Sequence, residues 1–365
     1  MSEIFLLELR AESEVFPQRP MEYLGKITAR VLDGRKPELK ASRDFRLNDV
    51  NLRTRQIGWT LCGRGNFGRQ THTSDSIPVA NLPSLAATLY SGTMPELPEV
   101  ETVANGVDAR VRGQKIVRVW TSGKPQTFKS PETEIVETLT GAKIERVRRV
   151  GKTIVMDLSR GKKAAVAQFL VHLGMTGRLL VSQAEVVLPP HTHAVLSLAD
   201  GREVRFVDPR RFGRLSVVTS EGGYQGPGVE PTTVTAEEFA GLFKGRKLAI
   251  KAALLNQSIL HGVGNIYADE SLFRAGIRPR KQAGKLTRAE LGRLHAALQQ
   301  VLAHAIELGG SSVSDYVDAD GVQGFFQLEH KVYSRAGEAC LDCGAGLKKI
   351  VVGGRTTVYC PVCQR

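Results

Sequence analysis

The sequence lacks long apolar runs and has few cysteines, and both shortages restrict what the protein can be. No hydrophobic stretch approaches the roughly 18 residues of a transmembrane helix, so we expect no membrane span. Residues 1–5 are not followed by the basic and apolar segments of a signal peptide. Of the five cysteines, only Cys62 lies outside the C-terminal segment. This pattern argues against a disulfide framework and favours a reducing compartment, so we expect a cytoplasmic protein.

Basic residues outnumber acidic residues. The chain of 365 residues has 50 Lys and Arg against 37 Asp and Glu, a formal net charge of +13, and most of this excess lies after Met94. A basic balance spread over a domain favours a polyanionic partner, most often nucleic acid. Simple solubility is the other explanation, and charge alone does not decide between the two.

Residues 1–93 differ from the rest of the chain. They show no sustained hydrophobic period and end in a stretch rich in Ser, Thr and Pro, so we expect little packed structure there. One explanation is a regulatory or targeting arm. The other, which we favour, is a start codon assigned too early, with Met94 the true first residue, because residues 94–101 read like the beginning of a protein.

After Met94 the periodicity changes twice. A helix is predicted from Glu99 to Gly113, because valines recur on one face of it. Strand patterns follow at 116–120, 144–150, 153–158, 165–173, 193–198 and 203–207. Residues 94–220 are therefore predicted to form a helix followed by a β-rich domain.

A glycine- and proline-rich linker is predicted at 221–235, and helical patterns follow it at 236–330. They include a short helix over 252–257 and a long helix that begins with a capping box at Thr287 and ends before Gly309. Residues 331–365 hold the four C-terminal cysteines. The chain therefore divides into a β-rich part, a helical part and a small cysteine module.

The four C-terminal cysteines form two CxxC pairs. They are separated by 16 residues, and the ligands are Cys340, Cys343, Cys360 and Cys363. This is the spacing of a four-thiolate zinc ribbon, in which each pair forms a tight turn and the intervening chain forms a hairpin. Because all four positions are occupied by cysteine, none is open to substrate or water, and we predict one structural Zn²⁺. Metal binding would supply much of the folding free energy of this module.

The dipeptide Met94-Pro95 has a chemical consequence. If Met94 were removed, Pro95 would carry a free secondary amine, a nucleophile that can form an iminium adduct with a sugar aldehyde carbon. Within a chain the same nitrogen is a tertiary amide with no nucleophilic lone pair. Any chemistry of this kind therefore requires the active chain to begin at Pro95.

Five motifs occur in one order along the chain. They are Met-Pro-Glu-Leu-Pro-Glu-Val-Glu-Thr at 94–102, His-Leu-Gly-Met-Thr-Gly at 172–177, Asp-Pro-Arg-Arg-Phe-Gly at 208–213, Gly-Asn-Ile-Tyr-Ala-Asp-Glu at 264–270, and the terminal cysteine pairs. Together they resemble the bacterial formamidopyrimidine-DNA glycosylase family. The resemblance covers 94–365 and none of 1–93.

The resemblance implies an α+β protein with an N-terminal helix on a β-sandwich, a helix–two-turn–helix module and a C-terminal zinc-ribbon finger. It also implies a bifunctional enzyme that excises 8-oxoguanine and ring-opened purines from duplex DNA and then cuts the backbone at the abasic site. The expected partner is damaged double-stranded DNA. The expected state is a monomer near the nucleoid, with no nucleotide cofactor.

The catalytic roles follow from positions that match the family motifs. Pro95 resembles the nucleophile that attacks C1′, and Glu96 resembles the general acid that protonates the sugar ring oxygen. Glu99 would be a second carboxylate in the lesion pocket. Lys152 matches the lysine assigned to β-elimination and phosphate contact, and Arg355 matches the residue linked to δ-elimination and phosphate binding. Taken alone, the same proline and glutamates could simply be favourable residues at a helix N-terminus.

The remaining family positions concern DNA. Met175, Arg210 and Phe212 match a trio that fills the space left by an extruded base. Backbone-phosphate contacts are implied for His191, Arg246, Lys251 and Asn265. In isolation, Met175 and Phe212 would more often be core residues, and Arg210 and Arg211 would more often be a solvated pair.

Base recognition is implied for two further parts of the chain. Glu270 matches a position near the damaged base, and residues 311–326 correspond to a loop that caps the lesion. Ser314 stands where the family often has lysine, so base recognition can differ in detail.

Two other functions are compatible with the sequence. An endonuclease VIII-like glycosylase for oxidised pyrimidines would share the fold and the proline chemistry, but Leu97 and the presence of both Arg210 and Phe212 argue against it. A non-catalytic zinc-ribbon DNA-binding protein is the expected form if residues 1–93 remain attached, because the proline amine would then be blocked.

Overall fold

The computed structural model describes residues 94–161, 163–219, 221–312 and 319–365, together with three strands nearer the N-terminus. The chain divides into two compact units, Met1–Pro83 and Ser84–Arg365. In the first unit, β1 (Glu8–Glu12), β2 (Leu24–Arg30) and β3 (Arg43–Arg46) form an antiparallel sheet in that order. The expectation of little packed structure in 1–93 stays a prediction, because the burial of these residues lies outside what the structure describes. Cys62 and Ser314 lie outside the described residues.

The second unit contains the helical and strand elements that the sequence patterns predict, and several more. Its helices are α1 (Leu97–Val111), α2 (Glu132–Leu139), α3 (Ala236–Phe243), α4 (Ile250–Leu254), α5 (Asn265–Arg274) and α6 (Arg288–Glu307). Its strands are β4 (Ile116–Thr121), β5 (Lys143–Val150), β6 (Thr153–Arg160), β7 (Lys163–His172), β8 (Arg178–Gln183), β9 (Thr192–Leu198), β10 (Arg202–Val207), β11 (Arg214–Val218), β12 (Lys348–Val352) and β13 (Arg355–Tyr359). Every predicted strand overlaps an observed one. Within the described residues no helix is both long and apolar enough to cross a bilayer.

Eight of these strands form a β-sandwich with α1 packed on it. The two antiparallel sheets have the orders β4-β9-β10-β8 and β11-β7-β6-β5. Residues from both sheets, such as Phe169 and Phe206, share one buried core with Val100, Val103 and Val107 of α1. The valines recur at helical spacing, so burial of this apolar stripe holds the helix against the sheets. The predicted helix-capped β-sandwich is confirmed.

The helical module has its own core. Residues of α3, α4, α5 and α6 pack around Tyr267 and Leu298, and Leu97 at the start of α1 contributes to the same cluster. The predicted capping box is present: Thr287 accepts a hydrogen bond from the backbone of Glu290. Because Leu97 joins this core, the start of α1 lies where the sandwich meets the helical module.

One predicted helix is shorter than the pattern suggested. The sequence predicts a helix over 252–257, whereas α4 ends at Leu254. The Asn256 side chain accepts a hydrogen bond from the backbone of Ser258, 3.0 Å away. An asparagine that binds its own backbone two residues on competes with the helical hydrogen bond, which explains the early end.

Candidate active site and nucleic-acid interface

The carboxylate of Glu96 caps a helix other than its own. Glu96 immediately precedes α1, yet its Oε1 accepts a hydrogen bond from the backbone of Ile266 at 3.1 Å, and Oε2 accepts one from Tyr267 at 3.4 Å. Both donors lie in the first turn of α5, where backbone N–H groups have no partner inside the helix. Gly264 permits this approach, because a Cβ there would lie 2.2 Å from Cδ of Glu96. The residue beside Pro95 is therefore fixed to the helical module.

Burial makes Glu96 a proton carrier near neutral pH. Its side chain is almost fully buried, and this loss of solvation raises its pKa to about 7, although the positive charge of Lys152 and the two backbone hydrogen bonds oppose the rise. The neighbouring carboxylate of Glu99 raises it further. A group with a pKa near 7 can both give and take a proton at physiological pH.

Glu99 links three parts of the site. Its carboxylate accepts hydrogen bonds from the backbone of Glu96 at 2.8 Å, from the hydroxyl of Tyr267 at 2.5 Å and from the backbone of Ser311 at 2.7 Å. Burial raises the pKa of Glu99, and these hydrogen bonds oppose the rise. These three hydrogen bonds connect Glu99 to the start of α1, to α5 and to the segment after α6.

Lys152 lies in the turn between β5 and β6, close enough to the two carboxylates to interact with their charges. Burial lowers its pKa; the charges of Glu96 and Glu99 oppose this, whereas that of Arg355 adds to it. A less basic ammonium loses its proton more easily, which suits a residue that transfers protons. The site therefore brings together Glu96 and Lys152 from the sandwich and Arg355 from the cysteine module.

A charged network holds the Lys152 turn. Arg149 donates to the carbonyl of Gly151 at 3.2 Å and forms ion pairs with Glu101 of α1 and Glu230 of the linker. His261, from the turn before α5, lies 3.2 Å from Glu230. Burial opposes ionisation of Glu230, but its hydrogen bonds with His261 and Arg149 outweigh this effect and lower its pKa. The sequence analysis did not single out these residues, because they are ordinary charged positions far apart in the chain.

Arg355 is exposed at the tip of the β12–β13 hairpin. The two-residue turn before it, Gly353-Gly354, has φ of +57° and +73°, a backbone conformation that glycine adopts without strain. A Cβ at Gly353 would lie 3.0 Å from the Cβ of Ala252 in α4, so the tip rests on the helical module. The exposed guanidinium lies close enough to the half-buried Lys152 for their charges to interact.

Lys251 differs from the expected phosphate contact. Its side chain is fully buried, and its Nζ lies 2.7 Å from Oδ1 of Asp269 and donates to the carbonyl of Thr356 and the hydroxyl of Thr357. The other carboxylate oxygen of Asp269 accepts from the backbone of Val358 at 3.1 Å. With all its donors directed inward, this ammonium holds β13 and is not presented to a surface phosphate.

Glu270 also differs from its expected place near a damaged base. It is fully buried, pairs with Arg274, and accepts hydrogen bonds from the consecutive backbone N–H groups of Lys331, Val332 and Tyr333. The carboxylate thus accepts hydrogen bonds from backbone N–H groups in the segment that leads to the cysteine module. Its position indicates a structural role in joining the two modules.

The expected void-filling residues lie on two adjoining turns. Arg210 and Phe212 are exposed, and the Arg210 guanidinium carbon lies 4.8 Å from the centre of the Phe212 ring. Met175, on the other turn, is half-buried. The turns touch at Gly174, where a Cβ would lie 2.5 Å from the backbone of Gly213. The structure therefore places the two turns that carry the three predicted residues against each other.

One buried carboxylate organises this edge. Asp208 accepts a hydrogen bond from the hydroxyl of Thr176 in the Met175 turn and from the backbone of Gly213, 2.7 Å away. A hydrogen-bonded carboxylate can order a turn that carries no regular structure. Asp208 was missed as a site residue, although it begins one of the family motifs.

The other predicted phosphate contacts occupy different settings. His191 and Arg246 are exposed, and Arg246 donates through Nε to the carbonyl of Leu242 at 2.5 Å. Asn265 is half-buried at the start of α5 and donates to the carbonyl of Thr356 at 3.0 Å. His191 and Arg246 are therefore open to solvent, whereas Asn265 also secures the hairpin.

The four cysteines have the geometry of a metal site. Their sulfur atoms all lie within 4.8 Å of one another, with Cys340 and Cys363 separated by 3.9 Å and Cys343 and Cys360 by 3.4 Å. A tetrahedral zinc with bonds of about 2.3 Å to sulfur requires separations of about 3.8 Å. The residues therefore fit Zn²⁺, and the predicted four-cysteine site is confirmed.

Three family models match consecutive parts of the chain. Residues 94–215 match the formamidopyrimidine-DNA glycosylase N-terminal domain, 226–317 match the H2TH (helix–two-turn–helix) domain of the same enzymes, and 337–365 match a zinc finger found in FPG and IleRS. None of them covers residues 1–93. The three matches follow one another along the chain in the same order as the β-sandwich, the helical module and the cysteine module.

Relatives and solved structures agree with these models. The formamidopyrimidine-DNA glycosylase of Desulfitobacterium hafniense is 41% identical over 278 residues, which cover 74% of this chain and all of that protein. Among solved structures, MutM (Fpg) of Thermus thermophilus has a TM-score of 0.65 at 40% identity, covering 74% of this chain and 98% of that one. A Lactococcus lactis FPG mutant in complex with DNA containing Fapy-dG has a TM-score of 0.66 at 32% identity, covering 74% and 100%.

Other structures of the Lactococcus lactis protein contain DNA with an abasic site or with an oxidised pyrimidine. The ordered motifs, the three consecutive domain matches and full-length coverage of relatives about 40% identical all concern residues 94–365. This chain therefore belongs to the formamidopyrimidine-DNA glycosylase family.

Proposed function

We propose that this protein excises oxidised purines, 8-oxoguanine and formamidopyrimidines, from duplex DNA and then cleaves the backbone by β,δ-elimination. As a member of its family it is a DNA glycosylase of base excision repair, and AP lyase activity is typical of the family. One observation carries the proposal. Glu96 follows Pro95 directly, its carboxylate is held by the backbone of Ile266 and Tyr267, and it interacts with the charge of Lys152, which also interacts with the charge of Arg355.

The first step joins the enzyme to the sugar. The neutral amine of Pro95 attacks C1′, the bond between C1′ and the damaged base breaks, and the base leaves with the bonding electrons and takes up the proton that the Pro95 nitrogen releases. The bond between C1′ and O4′ then breaks, Glu96 gives its proton to O4′, and an iminium forms between Pro95 and C1′. Proton transfer of this kind contributes about 10²–10⁴-fold to rate. Burial of Glu96 is what keeps that proton available at neutral pH.

The second stage cuts the backbone on both sides of the sugar. Loss of a proton from C2′ expels the 3′-phosphate, and loss of a proton from C4′ expels the 5′-phosphate. Water then hydrolyses the iminium and frees Pro95. We assign the first proton transfer and a phosphate contact to Lys152, whose lowered pKa supports that role. We assign the second elimination and phosphate binding to Arg355, which stands exposed at its hairpin tip.

DNA binding involves two further groups of residues. We propose that Met175, Arg210 and Phe212 fill the space left by the extruded base, because the turns that carry them lie against each other and Phe212 is 45% exposed despite its apolar ring. We propose that His191, Arg246 and Asn265 contact backbone phosphates, Asn265 at the start of α5, where anions bind favourably. Neutralised phosphates should make binding fall steeply with salt. Because the substrate is DNA, we propose that the enzyme is located at the nucleoid of the cytoplasm. We also propose that it acts as a monomer.

The zinc ribbon acts at a distance from the chemistry. When Zn²⁺ is bound, its role is to stabilise the fold, because four cysteines leave no open coordination position. Cys340, Cys343, Cys360 and Cys363 would hold it, and the β12–β13 hairpin between the pairs carries Arg355.

A free amine at Pro95 requires a chain that begins there. We propose that residue 95 is the N-terminus of the active enzyme after removal of Met94, which agrees with the start of the N-terminal domain match at residue 94. A chain that keeps residues 1–93 would bind lesions without an amine to react. Intact-mass analysis of the protein from its natural host distinguishes the two forms.

Borohydride trapping on a duplex with 8-oxoguanine tests the mechanism. We would compare chains expressed from Met1 and from Met94, with Glu96→Gln as a matched control in the shorter chain. A covalent adduct only with the Met94 chain supports Pro95 as the nucleophile. An adduct from an uncleaved Met1 chain would exclude it and make Lys152 the amine to test, and no adduct from either chain would favour the non-catalytic binding protein.

A substrate panel separates the oxidised-purine assignment from its alternative. The Lactococcus lactis relative has been solved with DNA containing an oxidised pyrimidine, so the family fold admits such a base. We expect excision of 8-oxoguanine and formamidopyrimidine to exceed that of an oxidised pyrimidine by at least tenfold in kcat/KM. The reverse order would assign the protein to the endonuclease VIII-like class.

A further inference from the structure

The described residues of the segment that follows α6, 308–312 and 319–326, contact one face of α1. Three residues of α1, Glu99, Gly106 and Arg110, are separated by seven and four positions, a spacing that puts them on one side of a helix. Each of them contacts this segment. The helix that begins beside Pro95 and Glu96 is therefore contacted near its start by residues 310–311 and in its second half by residues 319–320.

The first contact lies near the catalytic end. The backbone of Ser311 donates to Oε1 of Glu99 at 2.7 Å. Gly310 precedes it with φ of +82°, and a Cβ at this position would lie 3.0 Å from Cγ of Glu99. Ser312, the next residue, remains with the helical module: its backbone donates to Gln327 and its hydroxyl accepts from Gly324.

The second contact lies on the sandwich. Ala319 is 1% exposed and belongs to the sandwich core, although the sequence around it follows the helical module. Its carbonyl accepts a hydrogen bond at 3.3 Å from Val181 of β8, the outermost strand of its sheet. A Cβ on Gly106 would lie only 3.1 Å from the Cβ of Ala319, so the lack of a side chain at residue 106 makes room for it.

The third contact is an ion pair. Arg110 pairs with Asp320, and its guanidinium also donates to the carbonyl of Gly106, one turn earlier in α1. Both side chains are partly exposed, so the ion pair adds little to stability. Its main effect is to fix the orientation of Asp320 relative to α1. Ser312 is thus tied to the helical module, and Ala319 and Asp320 are tied to the sandwich.

We propose that the docking of Ala319 and Asp320 on Gly106 and Arg110 positions residues 319–326, the described C-terminal part of the lesion-recognition segment, for base excision. This inference rests on the proposed function and on the family resemblance, which implies that residues 311–326 correspond to a loop that caps the lesion. The docking sets the described parts of that segment, 311–312 and 319–326, at a fixed place relative to α1, which carries Pro95 and Glu96 at its start. An abasic site has no base to recognise. Disturbed docking should therefore slow excision and leave cleavage at a preformed abasic site intact.

The principal test is Gly106→Leu in the zinc-loaded chain expressed from Met94. The added side chain would displace Ala319, whereas leucine is a better helix former than glycine, so α1 itself should not weaken. The matched control is Gly292→Leu, because Gly292 lies within α6 and a Cβ there meets nothing within 4 Å. Each protein is assayed in single turnover for 8-oxoguanine excision and for cleavage of a preformed abasic site, and its Tm is measured.

We expect Gly106→Leu to slow excision at least tenfold while cleavage of the abasic site stays within twofold of the parent and Gly292→Leu changes neither rate. Equal losses in both reactions, or no loss in either, would overturn the docking role. A parent enzyme that forms no adduct and excises no base would instead refute the proposed function, so the two failures are distinct.

A charge exchange provides a second test that does not depend on steric fit. Arg110→Asp and Asp320→Arg should each slow excision about twofold to fivefold, because each puts like charges together, and the double variant should restore the parent rate. Abasic-site cleavage should remain constant in all three. A double variant as slow as the product of the two single effects would contradict the proposal, because the residues would then act independently.

Discussion

Glu96 and Gly264 are in direct contact: the carboxyl group of Glu96 occupies the space that a side chain at residue 264 would need. A Cβ on Gly264 would lie 2.2 Å from Cδ and 2.3 Å from Oε1 of Glu96. Gly264 is the N-cap of α5 with φ of −129°, so its backbone conformation is open to other residues and the restriction is one of space. The acid beside Pro95 and the first turn of α5 therefore depend on each other.

Gly264→Ala should disable the acid without removing it. The methyl group would push Glu96 away from the backbone of Ile266 and Tyr267, so we expect excision to slow by about 10²-fold or more, within the range that general acid catalysis contributes. The measurement is single-turnover excision of 8-oxoguanine. Gly292→Ala is the control, since a Cβ at that helical position is unobstructed. Parent-like excision by Gly264→Ala would mean that this placement of Glu96 is not the active one.

The excision rate should depend on the protonation of Glu96. Because the pKa of Glu96 is about 7 and its neutral form donates the proton, while Pro95 must be neutral to attack, we expect a bell-shaped rate profile at saturating DNA. On the alkaline side the rate should fall about tenfold per pH unit once Pro95 is fully neutral and the carboxyl of Glu96 is ionised. Glu96→Gln should be slow at every pH and lack this decline. A parent profile that stays flat from pH 6 to pH 9 would remove Glu96 from the role of acid.

The same group should affect stability with a defined sign. Its folded-state pKa of about 7 exceeds the ordinary value of 4.5, so the folded protein holds this proton more tightly than the unfolded chain does. The stabilisation is fully present below pH 4.5 and is lost as the pH rises through 7. Glu96→Gln should therefore lose less Tm than the parent between pH 5 and pH 8. An equal or larger loss would contradict this linkage.

Lys251 should contribute to stability and not to the salt dependence of DNA binding. Lys251→Met leaves Asp269 buried without its partner, so we expect a loss of about 3 kcal/mol in the free energy of unfolding. The loss should be smaller at pH 5 than at pH 8, because burial raises the pKa of Asp269 to about 6 and protonation relieves the unpaired charge. Chemical denaturation at the two pH values measures both effects.

DNA-binding isotherms at several salt concentrations provide the contrast. Arg246→Ala should reduce the slope of log K against log salt by about 0.9, the value for one phosphate contact, whereas Lys251→Met should leave the slope unchanged. A reduced slope for Lys251→Met, at a pH where the variant is folded, would show that Lys251 contacts a phosphate despite its burial.

Removal of zinc should act on catalysis through Arg355. Without the metal the two CxxC turns lose their link, and the hairpin that presents Arg355 should loosen. We expect chelation under reducing conditions to make 331–365 sensitive to protease and to weaken DNA binding at least tenfold, with full recovery after zinc is returned. Arg355→Ala is the matched variant: it should weaken binding and δ-elimination with the zinc ribbon intact. Unchanged binding by the metal-free protein would refute this coupling.

Much of the fold could be predicted because it depends on local chemistry. The valine stripe of α1, the capping box at Thr287 and the cysteine spacing each predict their structure from residues close in sequence. Strands β8 and β11 and helix α2 were not predicted; in β8, for example, three consecutive apolar residues at 179–181 replace the alternation that is typical of a strand. The end of α4 at Leu254 was missed because the competing side-chain bond of Asn256 is not visible as a periodic pattern.

The sequence by itself determined the chemistry that is available: a proline that can become an N-terminal amine, carboxylates beside it, and four thiolates at zinc-ribbon spacing. Tertiary structure decided how those groups behave. Burial raises the pKa of Glu96, and burial turns Lys251 and Glu270 from expected DNA or lesion contacts into supports for the cysteine module. The docking of Ala319 on Gly106 joins residues more than 200 positions apart. Solvation and packing depend on which distant segments meet, and that information is absent from the pattern around any single residue.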